Sequence, residues 1–524
     1  LTLPLLAQLG DRWQTIAAPT LSADGKWAAY TLNPRLGDGE FIVRSIGASS
    51  EYRVNVGYTN RENNIPGAER GRGGAPPAGG GGGRGGRGGP AGPNGLGPFS
   101  ADGKFAFVLV NQPLKTEVDS VERALRSRGT RTPNAPAGPT TNSLRVIRLS
   151  DGNVEAIKGA RSFRLPDANG KWLAYSMVDS ATAAGGAGGA GGRGGRGAGG
   201  RGGAPAGEGG AAGAAAANGA QRRTYGTPLV VRNLDTGAEE RLADVTQYTF
   251  DDSAKVLAYT VTSHDSTKDG VYLRDLATGT TRTVLAGPGN YRAFTFDRAQ
   301  QQYAFTSDRD EFGKTDAKAA VYLGTVKAGT AAPIVTTSAL PSFFHLVEAG
   351  PLAFTRAGNA VTVTIAPPRE EVAPVDSLVG RAKFDLWHFK DTQIQPTQLL
   401  QVNQALNRTY QGIVNLATKK FTRLTDENFP SVQLSDDAKV GLQATGVPYD
   451  LERTWGDGGT DVYVVDPATG TRKLLAKKIS GQAQLSTGAK FISWFDHKRW
   501  FTYNIATGKT TGLNAAMPSV QFEQ

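Results

Sequence analysis

Along this chain a polar turn is followed again and again by a short apolar run. "LSADGKWAAY" occupies residues 21–30, "FSADGKFAFV" 99–108 and "LPDANGKWLAY" 165–175. Looser copies are "FDDSAKVLAYTV" (250–261), "FDRAQQQYAFTS" (296–307), "LSDDAKVGLQAT" (434–445) and "LSTGAKFISWFD" (485–496), with a degenerate "EAGPLAFTR" at 348–356. Four or five apolar or aromatic residues behind Gly- and Asp-rich punctuation read as a strand entered through a turn.

A second phrase alternates with the first. "LRVIRLSDGNVEAI", "LVVRNLDTGAEERL", "VYLRDLATGTTRTVL", "GIVNLATKKFTRL", "VYVVDPATGTRKLL" and "FTYNIATGKTTGL" each spell strand, turn and strand. Asp-Gly and Thr-Gly suit hairpin turns that need positive φ, and the flanking β-branched residues suit strands. Each pair of phrases is therefore about four short strands. The spacing is 46 residues from 250 to 296 and 51 from 434 to 485. A four-stranded unit at this period is a propeller blade. The predicted fold is all-β: one β-propeller domain over 1–524, of about eight four-stranded blades, or seven with the last incomplete. The recurring turn residues are architecture. So are Trp27, Phe105, Trp172 and Phe491, the aromatics after Lys, which are expected to pack between blades.

Three inserts interrupt the repeats. Residues 61–98 and 181–223 are Gly-rich with Arg, and hold almost no side chain worth burying, so both are expected to be disordered loops. Residues 112–143 differ: "KTEVDSVERALRSR" places Val118, Val121 and Leu125 on one face of a short predicted helix. The inserts change the meaning of the net charge, which is +11. The first holds five Arg and two Glu (+3) and the second five Arg and one Glu (+4), so +4 remains for the rest of the chain. Arg-Gly-Gly runs can bind RNA by charge and stacking, but these lack Phe and Tyr, and a tolerated loop expansion is the favoured reading over a nucleic-acid scaffold. There is no Cys, which excludes disulfides, thiolate metal sites and a Cys nucleophile. The chain begins with Leu rather than Met, as expected of a processed or truncated chain, and no apolar run is long enough to span a bilayer.

Candidate chemistry is sparse. The nucleophile elbow Gly-x-Ser-x-Gly is absent. Ser263, His264 and Asp265 are adjacent in sequence, whereas a triad converges from separate segments, so a polar loop is expected. His345 and His388 sit among aromatics and read as packed strand residues; His497 reads as a hairpin turn. Asp308, Asp310, Glu311 and Asp316 cluster without EF-hand spacing. Asn407-Arg408-Thr409 matches a glycosylation acceptor by composition only. No residue is assigned a catalytic, cofactor-binding or metal-binding role.

The Ser-x-Asp-Gly-Lys-x-x-Ala-Tyr phrase resembles the propeller repeats of the prolyl oligopeptidase family of serine peptidases (dipeptidyl-peptidase IV-like members among them), and also those of TolB-like periplasmic propellers. "FTSDRDEFGKTDAKAAVYL", "FDLWHFKDTQIQPTQ" and "WGDGGTDVYVVDPATGTRKLL" look like successive blades of the peptidase group. The resemblance covers the chain outside the inserts. It implies a propeller that gates peptide substrates for a C-terminal α/β-hydrolase domain, expected to lie outside these residues and to carry the catalytic Ser, Asp and His. It implies peptides and that hydrolase domain as partners, no cofactor, no membrane span, and a periplasmic or secreted location. The alternative it leaves open is a TolB-like binding propeller without enzymatic activity.

Overall fold

The computed structural model describes residues 14–34, 37–58, 98–116, 143–178, 223–314, 316–368, 388, 390–453, 456, 458–486 and 488–513. The predicted Gly/Arg inserts lie outside them. So does most of the predicted helix, of which residues 114–116 are helical.

The described residues are mostly strand, in antiparallel sheets whose strands largely follow one another in chain order, with few helices, the longest described being Gln395–Leu406. The first sheet is a complete up-and-down meander of Gln14–Leu21, Trp27–Pro34, Asp38–Ser45 and Glu51–Tyr58. The second has Phe105–Val110, Ser143–Arg148 and Val154–Lys158, with a single bridge from Phe99 to Ala106 standing for its missing first strand. The third and fourth are fused into one seven-stranded sheet. The fusion runs through Glu239–Phe250, which pairs by its first half with Thr227–Asn233 and by its second half with Val256–Val261. The remaining meanders are Tyr291–Phe296 to Ala331–Val335, a five-stranded one from His345–Leu346 to Phe421–Arg423, Gln433–Leu434 to Arg472–Ile479, and Ala483–Leu485 to Lys509–Gly512. The described residues thus form seven antiparallel sheets of three to seven strands, in the up-and-down pattern of propeller blades.

Contacts divide the chain into two compact units, one reaching Thr283 and one starting at Val284. Inside each unit, consecutive meanders bury their faces against each other. Phe41, Val43 and Val56 of the first pack with Phe99, Val108 and Ile147 of the second. Phe107 and Leu144 of the second pack with Phe163, Leu173 and Tyr175 of the third. In the other unit, Ala304 and Val321 pack with Leu346, Val361 and Ile365. A strand covered on both faces has no solvent side, so its apolar residues run on without alternating. All six residues of Val256–Val261 are buried for this reason. Trp27, Phe105 and Trp172 join these cores partly buried, as expected. Phe491 does not: it is 40% exposed and stands outside the hydrophobic cluster of its meander.

The recurring turn has one design. The amide of residue i+3 donates to the carbonyl of i, and the amide of i+5 donates to the side chain of i. At Ser100 the Phe105 amide donates to Oγ at 3.0 Å, Gly103 N–H donates to the Ser100 carbonyl at 2.9 Å, and Gly103 has φ +67°. Asp251, Asp297, Thr355 and Ser435 repeat it, with Ala254, Gln300, Gly358 and Ala438 at positive φ. The "LPDANGKW" copy departs from it. There Asn169 Oδ1 accepts from Lys171 N–H at 2.8 Å, and Gly170 is not left-handed. The second phrase turns through Asx loops: Asp275 Oδ1 accepts from the Ala277 and Thr278 amides, and Gly279 takes φ +70°.

Among the described residues no helix is long and apolar enough to cross a membrane.

Candidate functional site

The sequence candidates do not converge. Ser263 Oγ donates to Asp244 Oδ2 at 2.6 Å, and Asp265 Oδ1 accepts from Thr267. His264 stacks on Tyr225 with ring centroids 3.7 Å apart. These three neighbours therefore face three different partners, as a polar loop does. His345 is a half-buried strand residue paired with Ala366. His388 corrects the sequence expectation: it is exposed and lies outside any strand, its Nδ1 accepting from the Lys390 amide at 3.1 Å. Its aromatic neighbours Phe384, Trp387 and Phe389 lie outside the described residues. His497 sits in the tight turn between Phe491–Asp496 and Arg499–Asn504, with φ +44° and Nδ1 2.7 Å from Asp496.

The carboxylate cluster disperses in the same way. Buried Asp308 accepts from the Asn290 amide and from Asn290 Nδ2, at 2.6 and 2.8 Å. Asp310 accepts from the Tyr322 hydroxyl at 2.6 Å. Glu311 accepts from the Lys318 amide at 2.8 Å. Among the described residues no group of three His, Cys, Asp or Glu side chains could hold a metal ion.

What the fold does build is a cleft of about 460 Å³ on the connections of the fifth and sixth meanders. That volume lies within the range of small-molecule sites. Its lining mixes apolar Leu340, Pro341, Phe344 and Pro368 with Lys318, Asp316 and His345 and the hydroxyl residues Thr337, Ser338 and Ser342. Lys318 Nζ lies 2.8 Å from Asp316 Oδ1, and the side chains are 30% and 87% exposed. Burial pushes the His345 imidazole below its ordinary pKa; the Lys318 charge adds to this and Asp316 opposes it.

Two successive phenylalanines part company here. Phe344 turns inward, its ring 4.7 Å from the Arg423 guanidinium, which also lies 4.4 Å from the ring of Tyr410. Phe343 turns outward and is 85% exposed, with φ +70°. The turn is closed by the Phe344 amide donating to the Pro341 carbonyl at 3.1 Å. A left-handed backbone is rare for a bulky residue. Sequence reading missed Phe343 and Lys318. "PSFFHL" carries no turn signal for positive φ, and Lys318 shares a cleft with Phe343 only because their two sheets pack together.

No protein-family model matches this sequence. No curated protein matches it either. Among solved structures it is similar to TolB from Acinetobacter baumannii, at 13% identity over 71% of this chain and 75% of that one, with a TM-score of 0.26. It is similar to the β-propeller domain of the trilobed protease from Pyrococcus furiosus, at 11% identity over 66% of this chain and 82% of that one, TM-score 0.27. It is also similar to one of two prolyl endopeptidases studied for inter-domain dynamics, at 10% identity over 95% of this chain and 56% of that one, TM-score 0.35.

Proposed function

We propose that this chain is the non-catalytic, substrate-gating propeller portion of a prolyl oligopeptidase-family serine peptidase, meeting peptides in the periplasm or outside the cell. The observation that carries the reading is the cleft of about 460 Å³ at Lys318, Phe343 and His345, which combines apolar and polar lining residues at a volume within the range of small-ligand sites. Two further features support it. The Ser and Asp residues of the repeat phrase are spent on closing their own turns. The repeats themselves resemble those of the peptidase family.

The test is direct. The purified chain is incubated with a mixture of short peptides, and the bound and cleaved fractions are measured by mass spectrometry. A fluorophosphonate probe is applied in parallel. Peptides are expected to be retained intact and the probe to leave the chain unlabelled, because acyl transfer needs a Ser activated by a base beside an oxyanion hole. Cleaved peptide, or labelling that prior heat denaturation blocks, would show a nucleophile in the chain and overturn the reading. Retention of no peptide would overturn it as well.

A further inference from the structure

We propose that the cleft at Lys318 and Phe343 recognises a free carboxylate carried next to an aromatic ring, as at the C-terminus of a peptide ending in an aromatic residue. The inference rests on the peptide-binding reading above and names the part of the peptide that is read.

The two charges of the cleft are not equivalent. The Lys318 side chain is 30% exposed, its amide is tied to Glu311 at 2.8 Å, and the strand Ala320–Thr325 begins two residues later. Lys318 is therefore the less exposed of the two charges, on the better-anchored stretch of backbone. Asp316 is 87% exposed, on the turn before it. An ion pair with one partner this exposed is weak and readily exchanged. Asp316 thus holds the place that a ligand carboxylate would take. A ligand amine fits worse, because Asp316 is the unanchored member and Lys318 would repel it.

The rest of the cleft fits the same ligand. The hydroxyl residues Thr337 and Ser338 line the same cleft and are of the type that donates to a carboxylate oxygen. Leu340, Pro341 and Phe344 add apolar lining. Phe343 stands at its edge, 85% exposed on a strained backbone. An aromatic ring entering the cleft would cover Phe343 and stack with it, which is what an exposed ring there is suited to.

The experiment titrates the full chain with four probes by calorimetry: a short peptide ending in Phe with a free carboxylate, the same peptide as its C-terminal amide, the same peptide ending in Ala, and N-acetylphenylalanine. The free-acid Phe peptide is expected to bind about tenfold tighter than the amide, the size of one charge-assisted hydrogen bond. It is expected to bind tighter than the Ala peptide, and Lys318→Gln should erase the acid-over-amide ratio. Equal binding of acid and amide, or a ratio that survives in Lys318→Gln, overturns the inference and leaves peptide binding standing. Binding of N-acetylphenylalanine with no binding of any peptide keeps the carboxylate site and overturns the peptide reading. No binding of any probe overturns both. If Lys318→Gln fails to fold, Asp316→Asn replaces it. Removing the competing carboxylate at an exposed position should tighten the acid and leave the amide unchanged. An acid affinity that stays the same or falls in that variant overturns the inference.

Discussion

The amide of Trp27 donates to Ser22 Oγ at 3.0 Å, while the amide of Ser22 donates to the carbonyl of Trp27 at 2.9 Å. The pair closes the turn from both ends, and Ser22 Oγ donates in turn to Asp24 Oδ1 at 2.6 Å. Ser22 is buried, so the Trp27 amide has no water to fall back on.

Three substitutions in this turn should separate cleanly in denaturant melts. Ser22→Ala strands the Trp27 amide and should cost about 1–3 kcal/mol. Gly25→Val should cost about 1–3 kcal/mol. Open space surrounds the position a Cβ would take there, so the loss comes from backbone strain at φ +68° alone. Lys26 is 76% exposed and pairs with Asp24 at 3.6 Å, so Lys26→Gln should change stability by less than about 0.5 kcal/mol. Equal stability in the three variants would refute the turn argument.

A second prediction concerns Arg423. Its guanidinium lies over the rings of Phe344 and Tyr410 at 4.7 and 4.4 Å, and its Nε donates to the Thr425 carbonyl at 2.8 Å. Lys offers a compact charge without a planar face or a fork of donors. Arg423→Lys should therefore destabilise the chain by about 1–2 kcal/mol, in the range of a desolvated cation–π contact. A thermal melt that leaves this variant at the parent midpoint would show that the sandwich holds nothing.

The architecture was legible because turn chemistry repeats while packing does not. Gly25 and Gly103 announce positive φ, and both have it. The same conformation falls on Ala254, Gln300 and Ala438, where no Gly marks it. There the turn is held by the Asp or Ser at i, so its residue type was the better signal. His388 was misread because aromatic neighbours in sequence do not by themselves make a strand; the residue is exposed and in none. The cleft was illegible for another reason. Lys318 and Phe343 stand 25 positions apart and belong to two successive meanders that meet only by packing, Ala304 and Val321 against Leu346, Val361 and Ile365.

The third prediction is a pH dependence. Burial, then Lys318, holds the folded-state pKa of His345 below 6.5, against Asp316. The unfolded chain therefore binds this proton more readily than the folded one. The contribution to stability is complete above the unfolded pKa. It is lost as pH falls from there through the lowered folded pKa. His345→Asn removes the proton from the balance. Melts of the parent and the variant from about pH 8 down to about pH 5 should show a parent that weakens relative to the variant below about pH 6.5. A constant difference between the two would mean that His345 titrates alike in both states.

The last prediction sets stability against binding at Phe343. Its ring is 85% exposed and its φ is +70°, in a turn closed by the Phe344 amide on the Pro341 carbonyl. A left-handed L-residue costs about 1–2 kcal/mol. Gly adopts this conformation freely but gives back about 0.5–1 kcal/mol in the entropy of the unfolded chain. Phe343→Gly should therefore melt at or slightly above the parent, because it relieves strain and uncovers nothing buried. If the ring serves a ligand, the same variant should bind the Phe-ended peptide several-fold more weakly, in line with losing one aromatic contact of about 0.5–1.5 kcal/mol. Stability and affinity would then move in opposite directions, which is the signature of a residue kept for binding. A variant that melts lower than the parent would show the ring to be part of the packing. A variant that keeps the parent affinity would leave the strained turn without a role in recognition.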